Sequence, residues 1–470
     1  MNTVAQMKLF MEPKSLAIIG VSRAADKDSW NILANLLNFG FKGKIYPVNP
    51  SADQILGIEV FPNIKAIPHD VDLAVIATPR STVLDRVKEC IDKGIKAIIV
   101  IAQGFADSDE EGKRMQDDLT RIATDSGARI IGPNTFGVVN AFYNLGTAFP
   151  PFKLEKTPIG VICQTGLFFI GLSRFGYGKL IDLGNTCDVD LADALQYLEV
   201  DPDTRVINLH IEGVQQGEKF LKVASQVAKN KPIVALKTAR SERGAKAAQS
   251  HTGSLTGKDE VYEAMFKQHG IIRVDDPEEL EDVSLAFMKL PPMQGQKLSI
   301  MSWAGSTGVM AIDACQKYGL KVPDLSPVAQ SRIRQLSPPD WLPIGNPVDI
   351  WACLGLKGFQ PENLKTGIQT QLEALLAEEN SHGVLVIIPD FLKLFPPEFW
   401  DISSIVRQAA NTFKHKPIAF AILGPQGELK TKIDEIDNVV TYPNCERAVR
   451  ALARLYQYHE FQINSARQVH

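Results

Sequence analysis

Cysteine is sparse in this chain and never closely spaced. The six residues, at 90, 163, 187, 315, 353 and 445, form no Cys-x-x-Cys pair. That excludes a zinc ribbon or a disulfide framework and fits a reducing compartment. No apolar run approaches the ~20 residues that would cross a bilayer, and the first residues lack the basic segment and apolar core of a secretory signal. A net charge of −4 gives no electrostatic reason to expect nucleic acid or an anionic membrane surface. Two nucleotide signatures are missing as well: the GxGxxG dinucleotide fingerprint and the GxxxxGK[ST] phosphate loop. The expectation is a cytoplasmic protein that binds no resident metal, no nucleic acid and no membrane.

What is present is a long alternation of apolar strands and amphipathic helices. A length of 470 residues predicts three domains at ~150 residues each. Over 1–148, Ser15-Leu-Ala-Ile-Ile19, Lys44-Ile-Tyr-Pro-Val48, Asp72-Leu-Ala-Val-Ile76, Ala97-Ile-Ile-Val-Ile101 and Arg129-Ile-Ile131 read as buried parallel strands. Helices are predicted over Trp30 to Phe39, Ser81 to Lys93 and Asp109 to Ser126. The order argues a doubly wound, Rossmann-like sheet with its ligand loops at the strands' C-terminal ends. Those loops carry Gly20-Val-Ser22-Arg23-Ala-Ala-Asp-Lys27, Asn49-Pro50, Thr78-Pro79, Gln103-Gly104-Phe105 and Gly132-Pro-Asn134-Thr-Phe-Gly137. Each is an ordinary turn composition by itself; five at successive strand ends would line one crevice.

The second domain is predicted over 149–292, after a linker at Phe149-Pro-Pro-Phe. A strand Ile159-Gly-Val-Ile162 feeds Cys163-Gln164-Thr165-Gly166 and a helix from Leu167 to Phe175. A small polar turn at a helix start is suited to an anion, because unpaired N–H groups and the helix dipole both favour it. The strand Arg205-Val-Ile-Asn-Leu-His-Ile211 ends in Glu212-Gly213, and the strand Pro232-Ile-Val-Ala-Leu236 leads into a long loop of small residues from Lys237 to Gly253. His251 sits near the end of that loop, flanked by Ser250, Thr252 and Gly253, with Lys237, Arg240 and Arg243 upstream. Small neighbours leave room for a phosphoryl group on the imidazole, and hydroxyls and N–H groups can bind its oxygens. Glu212, by accepting from one ring nitrogen, would leave the other free as a nucleophile. The plain alternatives are a solvated histidine and a turn glutamate.

The third domain, 293–470, follows the linker Lys289-Leu-Pro-Pro-Met-Gln-Gly-Gln296. Its strands are Lys297 to Met301, Gly383 to Ile388, Pro417 to Ile422 and Asn438 to Thr441, with a helix through Tyr318 and another over Cys445 to Tyr458. The shared sequence of strand, small-residue turn and helix fits a pseudo-duplication of the second domain.

Taken in order, these motifs resemble the α subunit of NDP-forming acyl-CoA synthetases, of the ADP-forming acetate–CoA ligase type within the succinyl-CoA synthetase superfamily. The resemblance runs over nearly the whole chain. Gly20-Val-Ser-Arg23, Tyr46-Pro-Val-Asn-Pro50, Gly104-Phe105 and Gly132-Pro-Asn134 are similar to the family's CoA-binding domain. Gly184-Asn185, Asp188-Val-Asp190, Ile211-Glu-Gly213 and Ser250-His-Thr-Gly253 are similar to its flavodoxin-like ligase domain, and Asn346-Pro-Val-Asp349 to the second such domain. The resemblance implies a Rossmann-like CoA-binding domain followed by two flavodoxin-like domains, and a ligase that interconverts acyl-CoA, phosphate and ADP with acid, CoA and ATP. In the family His251 would become phosphohistidine and Glu212 would support it. Gly20, Ser22, Arg23, Lys27, Asn49, Pro50, Thr78, Gly104 and Phe105 become the candidate CoA contacts. Asn134, Gln164, Thr165 and Gly166 become the candidate contacts to phosphate and acyl group. ATP or ADP and Mg2+ are expected on a partner, an ATP-grasp β subunit. Cys163 and Thr165 stand where the family has serines, Ala102-Gln103 and Thr135 also depart from it, and Trp303-Ala-Gly305-Ser306 replaces an Asn-Ala-Gly-Gly turn. A non-catalytic, CoA-sensing scaffold is the alternative that these departures support.

Overall fold

The computed structural model describes residues 2–22, 31–166, 176–252, 257–350, 358, 360–390, 395–425 and 427–467, the side chains of 249–252 excepted. The chain divides into two compact units, Met1–Pro277 and Glu278–His470.

In the first unit a helix, α1 (Thr3–Met11), precedes a five-stranded parallel sheet. Its strands are β1 (Ser15–Ile19), β2 (Lys44–Val48), β5 (Leu73–Ile76), β6 (Ala97–Val100) and β7 (Arg129–Ile131), with a two-stranded hairpin, β3 (Gln54–Ile55) and β4 (Ile58–Glu59), between β2 and β5. The order β2-β1-β5-β6-β7 puts Ala17 of β1 between Tyr46 and Ala74. Helices α2 (Ile32–Phe39), α3 (Arg80–Asp92) and α4 (Glu110–Ser126) link its strands, and α1 packs against β6. The expected start of α2 at Trp30 lies outside the described residues. Asn31 is its N-cap: its side chain accepts from Leu33 N and Ala34 N, which ends the helix at Ile32.

Seven strands form the second sheet: β8 (Val138–Asn140), β9 (Leu145–Gly146), β10 (Ile159–Cys163), β11 (Lys179–Asp182), β12 (Val206–Ile211), β13 (Ile233–Lys237) and β14 (Ile271–Val274), in the order β14-β13-β12-β10-β11-β8-β9. β8 and β9 lie before residue 148, within the span assigned from sequence to the first domain, yet β8 pairs antiparallel with β11. Gly137 permits that entry, since a Cβ there would stand 2.2 Å from Thr147 Oγ1. Helices α5 (Leu191–Val200), α6 (Gly217–Ala228), α7 (Glu242–Thr252) and α8 (Asp259–Gln268) complete this part. The stretch read as a long loop before His251 is therefore corrected: its backbone is helix α7. Ser241 receives Gly244 N on its hydroxyl and Ala245 N on its carbonyl, and the alanines at 245, 247 and 248 are strong helix formers.

The second unit is built on β15 (Leu298–Ser302), β16 (Val348–Asp349), β17 (Gly383–Pro389), β18 (Ile418–Leu423) and β19 (Val439–Tyr442), all parallel, in the order β16-β15-β17-β18-β19. Its core gathers Met301, Trp303, Leu372, Val386 and Phe420. Trp303 thus fills this interior, on the face of the sheet opposite α10 (Gly305–Tyr318), toward which Ser302 points. Asn346 clasps the sheet edge, accepting from Ile300 N at 2.8 Å and donating to Leu298 O and Pro323 O. Helix α9 (Pro277–Lys289), expected in the second domain, packs in this unit. Its buried Asp282 takes a two-pronged bond from Arg447, and its buried Glu279 pairs with Arg454, both on the helix Cys445–Arg467.

Each parallel set has the same strand order, the first strand lying between the second and the third. That arrangement opens a crevice at the C-terminal ends of strands one and three, where doubly wound sheets take their ligands.

Candidate functional site

The first crevice lies between the ends of β1 and β5. Gly20 has φ +87° and donates its N–H to Val48 O. A Cβ at this position would meet Thr78 Cγ2 at 2.7 Å and Ala77 O at 2.8 Å, so only glycine lets the two loops approach. Asn49 steers the same turn by donating its Nδ2 to Val21 O at 2.9 Å, and Asn31 donates to Ser22 O at 3.3 Å. The loops enclose a cavity of about 280 Å3 lined by Gly20, Val21, Ser22, Asn31, Ala77 and Phe149, among others. Of the candidate CoA contacts, Gly20 and Ser22 line it directly. Asn49 and Thr78 shape its wall, and Pro50 follows Asn49 at the surface. Arg23 and Lys27 lie outside the described residues.

Gly104 and Phe105 do something different. Both N–H groups are bound by the Asp107 carboxylate, at 3.0 and 2.9 Å, and Arg80 donates to Gly104 O at 2.6 Å. The Phe105 ring is buried in the core of the first sheet. Asn134, at φ +59°, donates to Asn185 Oδ1 at 3.3 Å, and Gly184 approaches so closely that its Cβ would stand 2.4 Å from Pro133 O.

The second crevice lies between β10 and β12. Gln164 spans it: its Oε1 accepts from Glu212 N at 2.8 Å and Gly213 N at 3.3 Å, and its Nε2 donates to Gly213 O at 3.1 Å. Its carboxamide is thereby committed to the Glu212 turn, which makes it a support for that turn. Thr165 and Gly166 are half-buried, and the expected helix after them lies outside the described residues. The edge of the Phe136 ring abuts Gly166, where a Cβ would come within 1.6 Å of it, and the ring packs on Phe149 at 4.8 Å. Since Phe149 lines the first cavity, this aromatic pair joins the two crevices. Sequence reading took Phe149 for a linker; Asn31 carried a legible signal, an asparagine just before an apolar helix.

Electrostatics sharpen the second crevice. Cys163 is fully buried with Sγ 3.8 Å from Asp182 Oδ1, and burial raises its thiol well above the usual range. Asp182 accepts from Phe136 N at 2.8 Å and Gly184 N at 3.3 Å, yet burial still pushes it up to about 6. Lys237 directs its ammonium at Glu212 O, and Arg240 pairs with Asp275 at 2.6 Å. His210, beside Thr238, is pushed down to about 4 by burial and by the charge of Lys237. His251 sits in the last turn of α7; its side chain lies outside the described atoms. Among the described residues no cluster of His, Cys, Asp and Glu is arranged to hold a metal ion, and no helix is long and apolar enough to cross a membrane.

A cavity at the switch point of one doubly wound sheet is thus joined by an aromatic pair to a small polar turn on the next. Family models agree: residues 14–141 match the CoA binding domain and residues 156–287 the succinyl-CoA ligase like flavodoxin domain. The chain is 35% identical to the α subunit of ADP-forming acetate–CoA ligase I of Pyrococcus furiosus, over 97% of its own length and 98% of that subunit. It is 35% identical to ADP-forming acetate–CoA ligase II of Archaeoglobus fulgidus, over 98% of its length and 68% of that protein. The dinucleotide forming acetyl-coenzyme A synthetase 1 of Candidatus Korarchaeum cryptofilum, solved with phosphate and ADP, superposes with a TM-score of 0.85 at 29% identity, covering 98% of both chains. The chain belongs to the family of ADP-forming acetate–CoA ligases.

Proposed function

We propose that this chain is the α-type subunit of an ADP-forming acid–CoA ligase that uses His251 as its phosphoryl carrier. Phosphate oxygen attacks the thioester carbonyl, the C–S bond breaks, and CoA leaves as the thiol with a proton, giving an acyl phosphate. An imidazole nitrogen of His251 attacks phosphorus, the P–O bond to the acyl group breaks, and the carboxylate departs. Phosphohistidine then passes its phosphoryl group to ADP. A covalent relay divides one difficult transfer into two.

The observation that carries this reading is the end-to-end match to α subunits of such ligases. In this scheme CoA is held in the Gly20–Phe149 cavity, with Arg23 and Lys27 for its phosphates. Thr165 and Gly166 bind the reacting phosphate through backbone N–H groups, with Asn134 beside the acyl group. Glu212 orients the His251 ring. ADP and Mg2+ are taken by an ATP-grasp β subunit, where the ion neutralises developing phosphoryl charge. The name of the P. furiosus relative, an α subunit, supports a partner on a separate chain. The unpaired, buried thiols of Cys90, Cys163, Cys187, Cys315 and Cys445 support a reducing cytoplasm.

The test is incubation of the chain and its partner with γ-labelled ATP. Acid-labile label is expected on this chain and absent from His251→Ala; label that persists in the variant overturns the histidine assignment.

A further inference from the structure

The turn that Glu212 begins is held from three directions. Gln164 binds Glu212 N, Gly213 N and Gly213 O; Tyr262 Oη accepts from Val214 N at 3.2 Å; Lys237 Nζ donates to Glu212 O at 2.9 Å. The three side chains come from the end of β10, from α8 and from the last residue of β13. Lys237 and Tyr262 are also coupled to each other, the ammonium standing 4.7 Å from the ring centroid. Both are buried, Lys237 at 2% exposure.

A charged side chain is an expensive choice here. Burying an ammonium is costly unless strong partners replace its water, and an aliphatic side chain would fill the space under Tyr262 without that cost. Among the described residues Nζ has no carboxylate partner: it donates to the carbonyls of Glu212 and Thr238 and faces the aromatic ring. A neutral replacement would leave the Glu212 carbonyl without its charged donor. The turn would then be held by Gln164 and Tyr262, with nothing charged to fix the Glu212 carbonyl.

We propose that Lys237 is a positioning residue for the phosphoryl step: its ammonium, clamped under Tyr262, fixes the Glu212 carbonyl and so sets where the Glu212 carboxylate stands. The inference rests on the reading that Glu212 orients His251. It adds a required positive charge that makes no contact with substrate. Burial is the largest influence on Lys237 and pushes its ammonium down to about 8. Asp259 and Glu212 favour the charge, Arg273 and Arg240 oppose it, and the facing His210, pushed down to about 4, is neutral over this range. The clamp is charged below that pH and loses its charge above it, so transfer has an alkaline limb that belongs to Lys237.

The test uses the chain with its ATP-grasp partner and γ-labelled ATP, following formation of the acid-labile phosphoenzyme by rapid quench from pH about 6 to about 10. Lys237→Met is expected to slow labelling about ten- to a hundredfold, the scale of a small misplacement of reacting groups, with KM for ATP unchanged and no limb near pH 8. Lys237→Arg keeps the charge, and is expected to recover most of the rate and to move the limb upward. Should Lys237→Met lack a cooperative melt, Lys237→Gln takes its place, because it keeps a donor near the Glu212 carbonyl but removes the charge, and it is expected to slow labelling with KM for ATP unchanged. A folded Lys237→Met or Lys237→Gln chain labelled at the wild-type rate, or a limb that stays put in Lys237→Arg, overturns the inference. An unlabelled wild-type chain instead overturns the function on which it rests.

Discussion

The Asn185 carboxamide donates to the Asp107 carboxylate across 2.7 Å, and through that bond a loop of the second sheet grips a loop of the first. The same nitrogen reaches Gln116 Oε1 at 3.0 Å, and Asn185 Oδ1 receives Asn134 Nδ2. One buried side chain therefore ties together the loops that follow β6, β7 and β11. Asn185→Ala is expected to cost about 1–3 kcal/mol, the price of leaving buried polar groups unpaired. It should also raise KM for acyl-CoA several-fold, because Gly104 and Phe105 hang from Asp107. Thermal unfolding and steady-state kinetics check the two halves of the expectation separately.

Arg129 plays a comparable part deeper in the first unit. Its guanidinium binds Asp188 at 2.9 Å and Asp193 at 2.6 Å, and Asp193 in turn takes Lys219 and forms a capping box with Asp190. The Asp188-Val-Asp190 motif is thus structural, joining β7 to the start of α5. Arg129→Met is expected to destabilise by about 1–3 kcal/mol, since it leaves the buried Asp193 and the half-buried Asp188 without their guanidinium. Arg129→Lys should recover only part, because an ammonium cannot reproduce the forked geometry. Urea denaturation midpoints decide the matter.

Asp182 predicts an unusual pH dependence. Its folded-state value, about 6, is raised above the usual carboxylate range by burial. The folded protein therefore binds this proton more tightly than the unfolded chain does. The associated stabilisation is full below the unfolded value, ~4, and is lost as pH rises through about 6. Comparing wild type with Asp182→Asn cancels the other carboxylates. The wild-type advantage in melting temperature is expected to shrink between pH about 5 and about 7; an advantage that grows would contradict the assignment.

The arrangement of the three sheets was largely legible because parallel strands are buried on both faces and read as unbroken apolar runs. Ser15–Ile19, Lys44–Val48 and Arg129–Ile131 carry the bounds expected of them. Short edge strands such as Leu145–Gly146 escaped, since two residues have no period. The stretch Glu242–Thr252 was misread as a loop because its small polar residues suit either state, and its alanines and the Ser241 cap favoured helix.

By itself, then, the amino-acid order determined the alternation of strand and helix, the places where glycine and asparagine loops fall, and the motifs that mark a ligase. Tertiary structure alone decided what those loops do: that Phe149 lines a cavity, that the N–H groups of Gly104 and Phe105 belong to Asp107, and that the charge of Lys237 is turned on a carbonyl. The reason is physical. A side chain's apolar period is written locally, whereas its burial, its hydrogen-bond partner and its charge state depend on residues tens of positions away that only the folded sheet brings within reach.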